Sequence, residues 1–189
     1  PDARGRSAAA RARGTLHCPV RSCFTRDVYK VDIPLSKAEI RAVRQAFTDP
    51  VIARSRVGRL PAPRFDWLIE VGFKPGVTDN VGRTAKVLVE DVLDRPLDPS
   101  HAVFASVQYF LRGSDLGEED ARRVARDLLA NPLIHDIRVC SPESWAETPI
   151  DAVPPRMDEP ASAGVDTIDL SGGDEALMRI SREGVLSLS

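Results

Sequence analysis

The stretch Thr78-Asp79-Asn80-Val81-Gly82-Arg83 repeats a pattern found 77 positions earlier, in Pro1-Asp2-Ala3-Arg4-Gly5-Arg6. Asp, Gly and Arg recur at identical spacing in the two stretches. Further matches follow at offsets of 80 and 82 positions: Tyr29 with Tyr109, and Asp49-Pro50-Val51-Ile52 with Asn131-Pro132-Leu133-Ile134. Self-similarity at a nearly fixed offset predicts two copies of one folding unit.

The second copy shows the order of its elements most clearly. Residues 66–73 alternate between apolar and other positions, which is typical of a half-buried strand. Asp79 is expected to be the N-cap of a helix with an apolar stripe. Residues 101–111 predict one bent strand or two short ones. A second helix is expected to stop at Asn131-Pro132, because proline excludes helical geometry at the residue before it, and residues 133–139 predict the last strand.

This order is that of a ferredoxin-like unit, an α+β fold with two helices on one face of an antiparallel sheet. The first copy predicts the same order in a helix near 4–13, strands near 15–24 and 26–32, a helix over 36–47 and a strand over 51–57. Its opening strand is missing. Because that strand is central in a ferredoxin-like sheet, we expect it to lie before Pro1 in a longer polypeptide.

The predicted domain organisation follows from this repeat. Two ferredoxin-like repeats, expected to form a pseudo-dimer, occupy residues 1–60 and 61–139. Residues 140–164 contain five prolines among Ser, Ala and acidic residues, a composition typical of a linker. A short strand over 165–170 and a helix over 171–184 are expected in the last segment, 165–189.

Composition and charge exclude several classes of protein. The chain has 189 residues, of which 42% are hydrophobic, so it is not disordered throughout, and no window reaches the ~20 apolar residues of a membrane span. Residues 1–60 carry 13 basic against 5 acidic side chains. No aromatic residues interleave the arginine cluster at positions 4, 6, 11 and 13 of this stretch, which argues against nucleic-acid binding. Three cysteines without framework spacing predict a cytoplasmic protein.

Candidate catalytic and metal-binding residues are sparse. His17, Cys18 and Cys23 are close in sequence, but no fourth ligand is nearby, so a zinc site is not expected. His101 and His135 have no Ser or Cys nucleophile at a recognisable spacing. The sequence therefore predicts no catalytic, cofactor-binding or metal-binding residues in this segment.

Two further features have a structural and a functional interpretation. Asp79 three residues before Gly82 fits a metal or phosphate loop, but a lone carboxylate binds a cation poorly and a helix cap explains it better. The exposed sheet faces, together with the aromatic residues Tyr29, Tyr109 and Phe110, predict a surface for a partner.

Two stretches resemble a known family, Phe73-Lys74-Pro75-Gly76-Val77-Thr78-Asp79-Asn80-Val81-Gly82-Arg83 and Asp127-Leu128-Leu129-Ala130-Asn131-Pro132-Leu133-Ile134. They are similar to the small PurS-type subunit of phosphoribosylformylglycinamidine synthase, with both ends of one repeat in the right order. The motif positions are Asp79, Gly82, Arg83, Asn131 and Pro132. The resemblance covers about residues 65–139 and, more weakly, 1–57. It departs from the family at Asn80, where proline is usual, and at Asp49-Pro50, which replaces Asn-Pro.

The resemblance implies that the chain is the tandem PurS-like N-terminal region of a longer fused synthase, a ligase of purine biosynthesis. Residues 167–184 look like the approach to its synthetase part. ATP and magnesium would belong to the parent enzyme and not to this segment. The implied role is architectural. The expected partners are the synthetase region of the same longer chain and a glutaminase subunit or domain, and binding to a membrane or to nucleic acid is not expected. Two alternatives are a tandem ferredoxin-like regulatory module that binds a small ligand between the repeats, and a basic nucleic-acid binder.

Overall fold

The structure, a computed structural model, describes residues 2–58, 61–147, 155 and 173–183. In chain order the elements are α1 (Ala3–Leu16), β1 (Ser22–Asp32), α2 (Lys37–Ala46), β2 (Trp67–Phe73), α3 (Asn80–Leu93), β3 (Ala102–Arg112), α4 (Glu118–Val124) with a π-helical turn (Ala125–Leu129), β4 (His135–Cys140), α5 (Pro142–Glu147) and α6 (Asp174–Glu183). The chain divides into two compact units after Arg156, and α6 is the described part of the second unit.

One antiparallel sheet of four strands, in the order β1-β3-β2-β4, forms the centre of the first unit. β3 pairs with β1 over its whole length, from Ala102 opposite Asp32 to Arg112 opposite Ser22. On its other side β3 pairs with β2. The α+β class is therefore confirmed, and the arrangement is consistent with a ferredoxin-like fold. Both halves of the chain contribute strands to the same sheet.

The helices bury two apolar clusters on the sheet face formed by the odd-numbered positions of the strands. In the larger cluster α1 and the π-helical turn pack on β2 and β3, and its fully buried members include Ala12, Ile69, Leu111 and Val124. In the smaller one α2 and α3 pack together through Val43, Ala85 and Val89. Each cluster thus joins a helix from the first half to one from the second. Among the described helices, none has the length and apolarity that a membrane crossing requires.

The strand predicted over 51–57 is wrong, because this segment forms turns. The carboxylate of Asp49 accepts a hydrogen bond from the Val51 amide at 2.8 Å, and its carbonyl accepts one from Ala53 at 2.9 Å. The matching strand of the second half, β4, pairs with β2. The described residues of the first half contain no counterpart of β2, so this segment lacks the strand with which β4 pairs in the second half.

Two other predicted boundaries also differ. The strands expected at 15–24 and 26–32 form the single strand β1, because α1 continues to Leu16 before His17 turns the chain in a left-handed conformation, with φ 55°. The linker expected at 140–164 begins with the helix α5. Its proline at position 142 occupies the first helical residue, where no amide hydrogen bond is lost, and the Ser141 hydroxyl accepts from the Ser144 amide. The helix expected at 171–184 is α6, whereas the strand expected at 165–170 lies outside the described residues.

The N-terminus of α2 makes stability depend on pH. The Glu39 carboxylate accepts a hydrogen bond from the Ser36 amide at 2.7 Å, the Ser36 hydroxyl accepts one from the Glu39 amide, and Arg95 lies 3.0 Å from Glu39. The hydrogen bonds from Ser36, followed by the one from Arg95, lower the pKa of Glu39 to about 2. Because the pKa falls on folding, this stabilisation is present above pH 4.5 and is lost as the pH falls towards 2.

We therefore expect Glu39→Gln to lower the melting temperature at pH 7, with the difference from the unmodified chain shrinking steadily between pH 4.5 and pH 2. Circular dichroism melts at a series of pH values measure this difference. A difference in melting temperature that stays constant between pH 4.5 and pH 2 would contradict this role of Glu39.

Candidate functional site

Asp79 fastens the start of α3 to the central strand. One of its carboxylate oxygens accepts a hydrogen bond from the Gly82 amide at 2.7 Å, and the other accepts one from the Ala105 amide of β3 at 2.6 Å. The first bond is an N-cap, as the sequence predicts, whereas the second joins helix to sheet. Both oxygens accept from backbone amides, so the cap interpretation of Asp79 explains its position fully.

Asp2 does the same at the start of α1. Its carboxylate accepts hydrogen bonds from the Gly5 amide at 2.7 Å and from the Thr25 amide of β1 at 2.6 Å. The Thr25 hydroxyl adds a third bond at 3.0 Å. Asp2, Gly5 and Thr25 therefore occupy the positions that Asp79, Gly82 and Ala105 occupy in the second half.

The two glycines are required because helix and strand approach too closely for a side chain. A Cβ atom at position 82 would lie 2.2 Å from the carbonyl oxygen of Val103, and one at position 5 would lie 2.4 Å from that of Cys23. No real Cβ tolerates such a distance. Both glycines therefore allow a helix to pack closely against a strand.

The two stretches that carry the family resemblance meet in space. The Lys74 ammonium donates a hydrogen bond to the carbonyl oxygen of Pro132 at 2.5 Å, although the two residues are 58 positions apart. The Lys74 amide also donates to the Ile134 carbonyl at 3.0 Å. The Asn131 amide donates to the ring nitrogen Nδ1 of His135 at 2.9 Å. The structure thus brings Asn131 and Pro132 to the turn that precedes Asp79.

Arg83, the remaining motif position, is exposed in the first turn of α3. Its guanidinium makes no hydrogen bond or ion pair within the described part of the chain. It lines a cavity at this end of the sheet together with Lys74 and Asp79.

The sheet face opposite the helices carries a buried polar network, which the sequence analysis did not predict. The Glu70 carboxylate accepts hydrogen bonds from the Ser106 hydroxyl at 2.9 Å and the Gln108 side-chain amide at 2.8 Å, and Lys30 lies 3.6 Å away. Glu70 is only 5% exposed. Nothing local in the sequence pairs these residues, since the register of β1, β3 and β2 alone brings them together.

The three aromatic residues predicted to form a partner surface do not share one sheet face, because Tyr29 and Tyr109 lie on the helix-covered face and Phe110 lies on the other. Phe110 is 1% exposed, because the Phe65 ring lies 5.5 Å from it and the Arg26 guanidinium covers it at 4.7 Å. Phe110 is therefore a core residue, and its prediction as a partner contact is wrong. Tyr29 stays 38% exposed, whereas Tyr109 is half-buried and burial raises its pKa.

The three residues considered for a zinc site, His17, Cys18 and Cys23, occupy structural positions. Burial raises the pKa of Cys23 to about 12, so its thiol is protonated at neutral pH. Burial also raises the pKa of Cys18, and His17 ends α1. Within the described ranges, no group of three or more metal-ligating side chains comes together.

Comparison with known proteins leaves the family open. No protein-family model matches the chain, and no curated protein matches it either.

Proposed function

We propose that the chain is the N-terminal assembly region of a phosphoribosylformylglycinamidine synthase, which uses ATP and glutamine to amidate formylglycinamide ribonucleotide. In this proposal it holds the synthetase and glutaminase parts in register in the cytoplasm and contributes no reacting group. One observation carries the proposal: the same aspartate and glycine anchor occurs at the start of α1 and of α3, in two halves that share one sheet.

The register of β1 on β3 supports a pseudo-dimer of two repeats. Asp27 lies opposite Val107, which is its own counterpart at the offset of 80 positions. On either side of this pair, Tyr29 lies opposite Ala105 and Thr25 lies opposite Tyr109. These pairings are those of two equivalent strands related by a local two-fold axis.

The lengths and ends of the elements agree with this symmetry. α1 and α3 both contain 14 residues, and β1 and β3 both contain 11. Both helices end in a left-handed residue, His17 with φ 55° and Asp94 with φ 50°. The matching cap positions are 77 residues apart, which is the offset of the two aspartates.

The outer edge of β1 indicates where the symmetry is incomplete. On β3 the side away from β1 is covered by β2, but the corresponding side of β1 has no strand partner among the described residues. The exposure of Tyr29, compared with the half-buried Tyr109, agrees with a missing neighbour. This edge of β1 is therefore available for pairing with a further strand.

Reconstitution tests the assembly role. The 189-residue chain is mixed with a synthetase part lacking this region and with a glutaminase, and amidation is followed with glutamine or with free ammonia as the nitrogen source. We expect no turnover by the chain alone, and a glutamine-dependent rate that rises when the chain is added while the ammonia-dependent rate changes little. Turnover by the chain alone, or a glutamine-dependent rate that the chain leaves unchanged, would contradict the proposal.

A second candidate function is a regulatory module that binds a small ligand between the two halves. The cavity near Arg83 favours it, because Lys30 from the first half and residues of the second half line the same space. A ligand that raises the melting temperature of a chain that fails to bind a glutaminase would favour this alternative.

A further inference from the structure

The cavity opens where β2 separates from β3 and the chain turns towards α3. Its volume is about 340 Å³, which lies at the lower end of the range for small-molecule sites. The turn 74–78 forms one wall, the first residues of β3 form another, and Lys30 of β1 contributes from the first half. The space is therefore formed by both halves together.

Gly72 keeps the floor of the cavity open. It lies on β2 opposite Ser106, on the same sheet face as Glu70, and a Cβ atom there would only reach ordinary contact distance from Ser106, at 3.4 Å. Glycine in the interior of a strand weakens it, and it commonly marks a place where another group approaches the backbone closely. A larger side chain at position 72 would project into the cavity.

The carboxylates that line the cavity are already occupied. Glu70 is held by Lys30, Ser106 and Gln108, and both oxygens of Asp79 accept from backbone amides. Asp136 pairs with Arg138 at 3.3 Å. Glu70 and Asp136 are therefore paired with cations, and both oxygens of Asp79 are engaged by backbone amides.

Two cations on the wall lack such compensation. Among the described residues, the Lys74 ammonium donates only to the Pro132 carbonyl oxygen, which leaves two of its three N–H groups without a partner there. The Arg83 guanidinium has no hydrogen-bond or ion-pair partner in the part of the chain that the structure describes. A guanidinium fork and an ammonium that line one cavity match the oxygens of a phosphate group.

We propose that this cavity binds a phosphate group, either free or in a small monoester, through Arg83 and Lys74, with Gly72 giving it room. The site is independent of the assembly role, since it requires neither a synthetase nor a glutaminase. The sequence contains no phosphate-loop motif here, so the site arises from the tertiary structure.

Titration of the full chain with inorganic phosphate, followed by amide chemical shifts in NMR spectra, tests the site. Sodium chloride at matched ionic strength is the reference, and sodium acetate is the second arm. We expect saturable shifts confined to residues 72–79, 83 and 102–106, with acetate binding more weakly because it carries a single charge. Equal affinity for acetate would overturn the assignment to phosphate.

Two variants locate the binding, and one serves as a matched control. Arg83→Gln, at an exposed position, is expected to weaken phosphate binding about tenfold or more. Gly72→Val is expected to abolish binding by filling the cavity. Arg122→Gln removes an exposed arginine of α4 that pairs with Glu118 outside the cavity, and it is expected to leave the affinity unchanged. If Arg83→Gln and Arg122→Gln had equal effects, or if the shifts did not saturate, the site would be refuted, whether or not the Gly72 variant folds.

Discussion

Gly82→Ala is expected to destabilise the fold by about 1–3 kcal/mol, although alanine favours helix formation by about 1 kcal/mol. The added methyl group would lie 2.2 Å from the Val103 carbonyl oxygen, so α3 would have to move away from β3. That movement would also stretch the hydrogen bond from the Ala105 amide to Asp79. Gly5→Ala is also expected to destabilise the fold, because its methyl group would lie 2.4 Å from the Cys23 carbonyl oxygen.

Gly14→Ala is the matched control, because Gly14 lies in α1 and a Cβ atom there would have nothing within 4 Å. It is expected to stabilise the chain by about 0.5–1 kcal/mol, as removal of a helical glycine should. Urea unfolding of the three variants gives the free energies. If Gly82→Ala stabilised the chain as much as Gly14→Ala does, the close approach of α3 to β3 would be refuted.

Lys30→Met is expected to cost about 3–5 kcal/mol, because it leaves the buried Glu70 carboxylate without its cation. The side chains of Lys30 and Glu70 are 13% and 6% exposed. Removal of a cation near the surface would have a far smaller effect on stability. Lys37→Met, at an exposed position of α2, is therefore the control variant.

The double variant Lys30→Met/Glu70→Gln distinguishes a lost ion pair from a packing defect. The neutral amide introduced at position 70 would remain a hydrogen-bond partner for Ser106 and Gln108 without a buried charge, so we expect most of the stability to return. Chemical denaturation of the four members of the cycle gives the coupling free energy. Additive effects of the two substitutions would show that Lys30 and Glu70 do not interact.

The parts of the fold that follow from local chemistry could be predicted from the sequence. Asp79 at the start of an apolar helical stripe predicts an N-cap, and the structure has one. The alternation over residues 66–73 predicts a strand, which is β2. The second bond of Asp79, to Ala105, depends on how α3 packs on β3 and has no local signal.

The remaining features depend on which strands pair, and local patterns do not determine that. The segment 51–57 contains apolar residues suited to a strand, but the described residues hold no counterpart of β2 for it to pair with, and the Asp49 carboxylate holds its start in a turn. The cavity and the Glu70 network likewise exist only because β1 from one half pairs with β3 from the other. The site was therefore less predictable than the elements that form it.

Cross-strand nuclear Overhauser effects between the two halves measure the pairing of β1 with β3 directly. The account predicts contacts between Tyr29 and Ala105 and between Thr25 and Tyr109, placed symmetrically about Asp27 and Val107. If β3 showed such contacts with β2 alone, or if β1 paired with β3 in a register not centred on Asp27 and Val107, the two halves would not be equivalent units of one sheet.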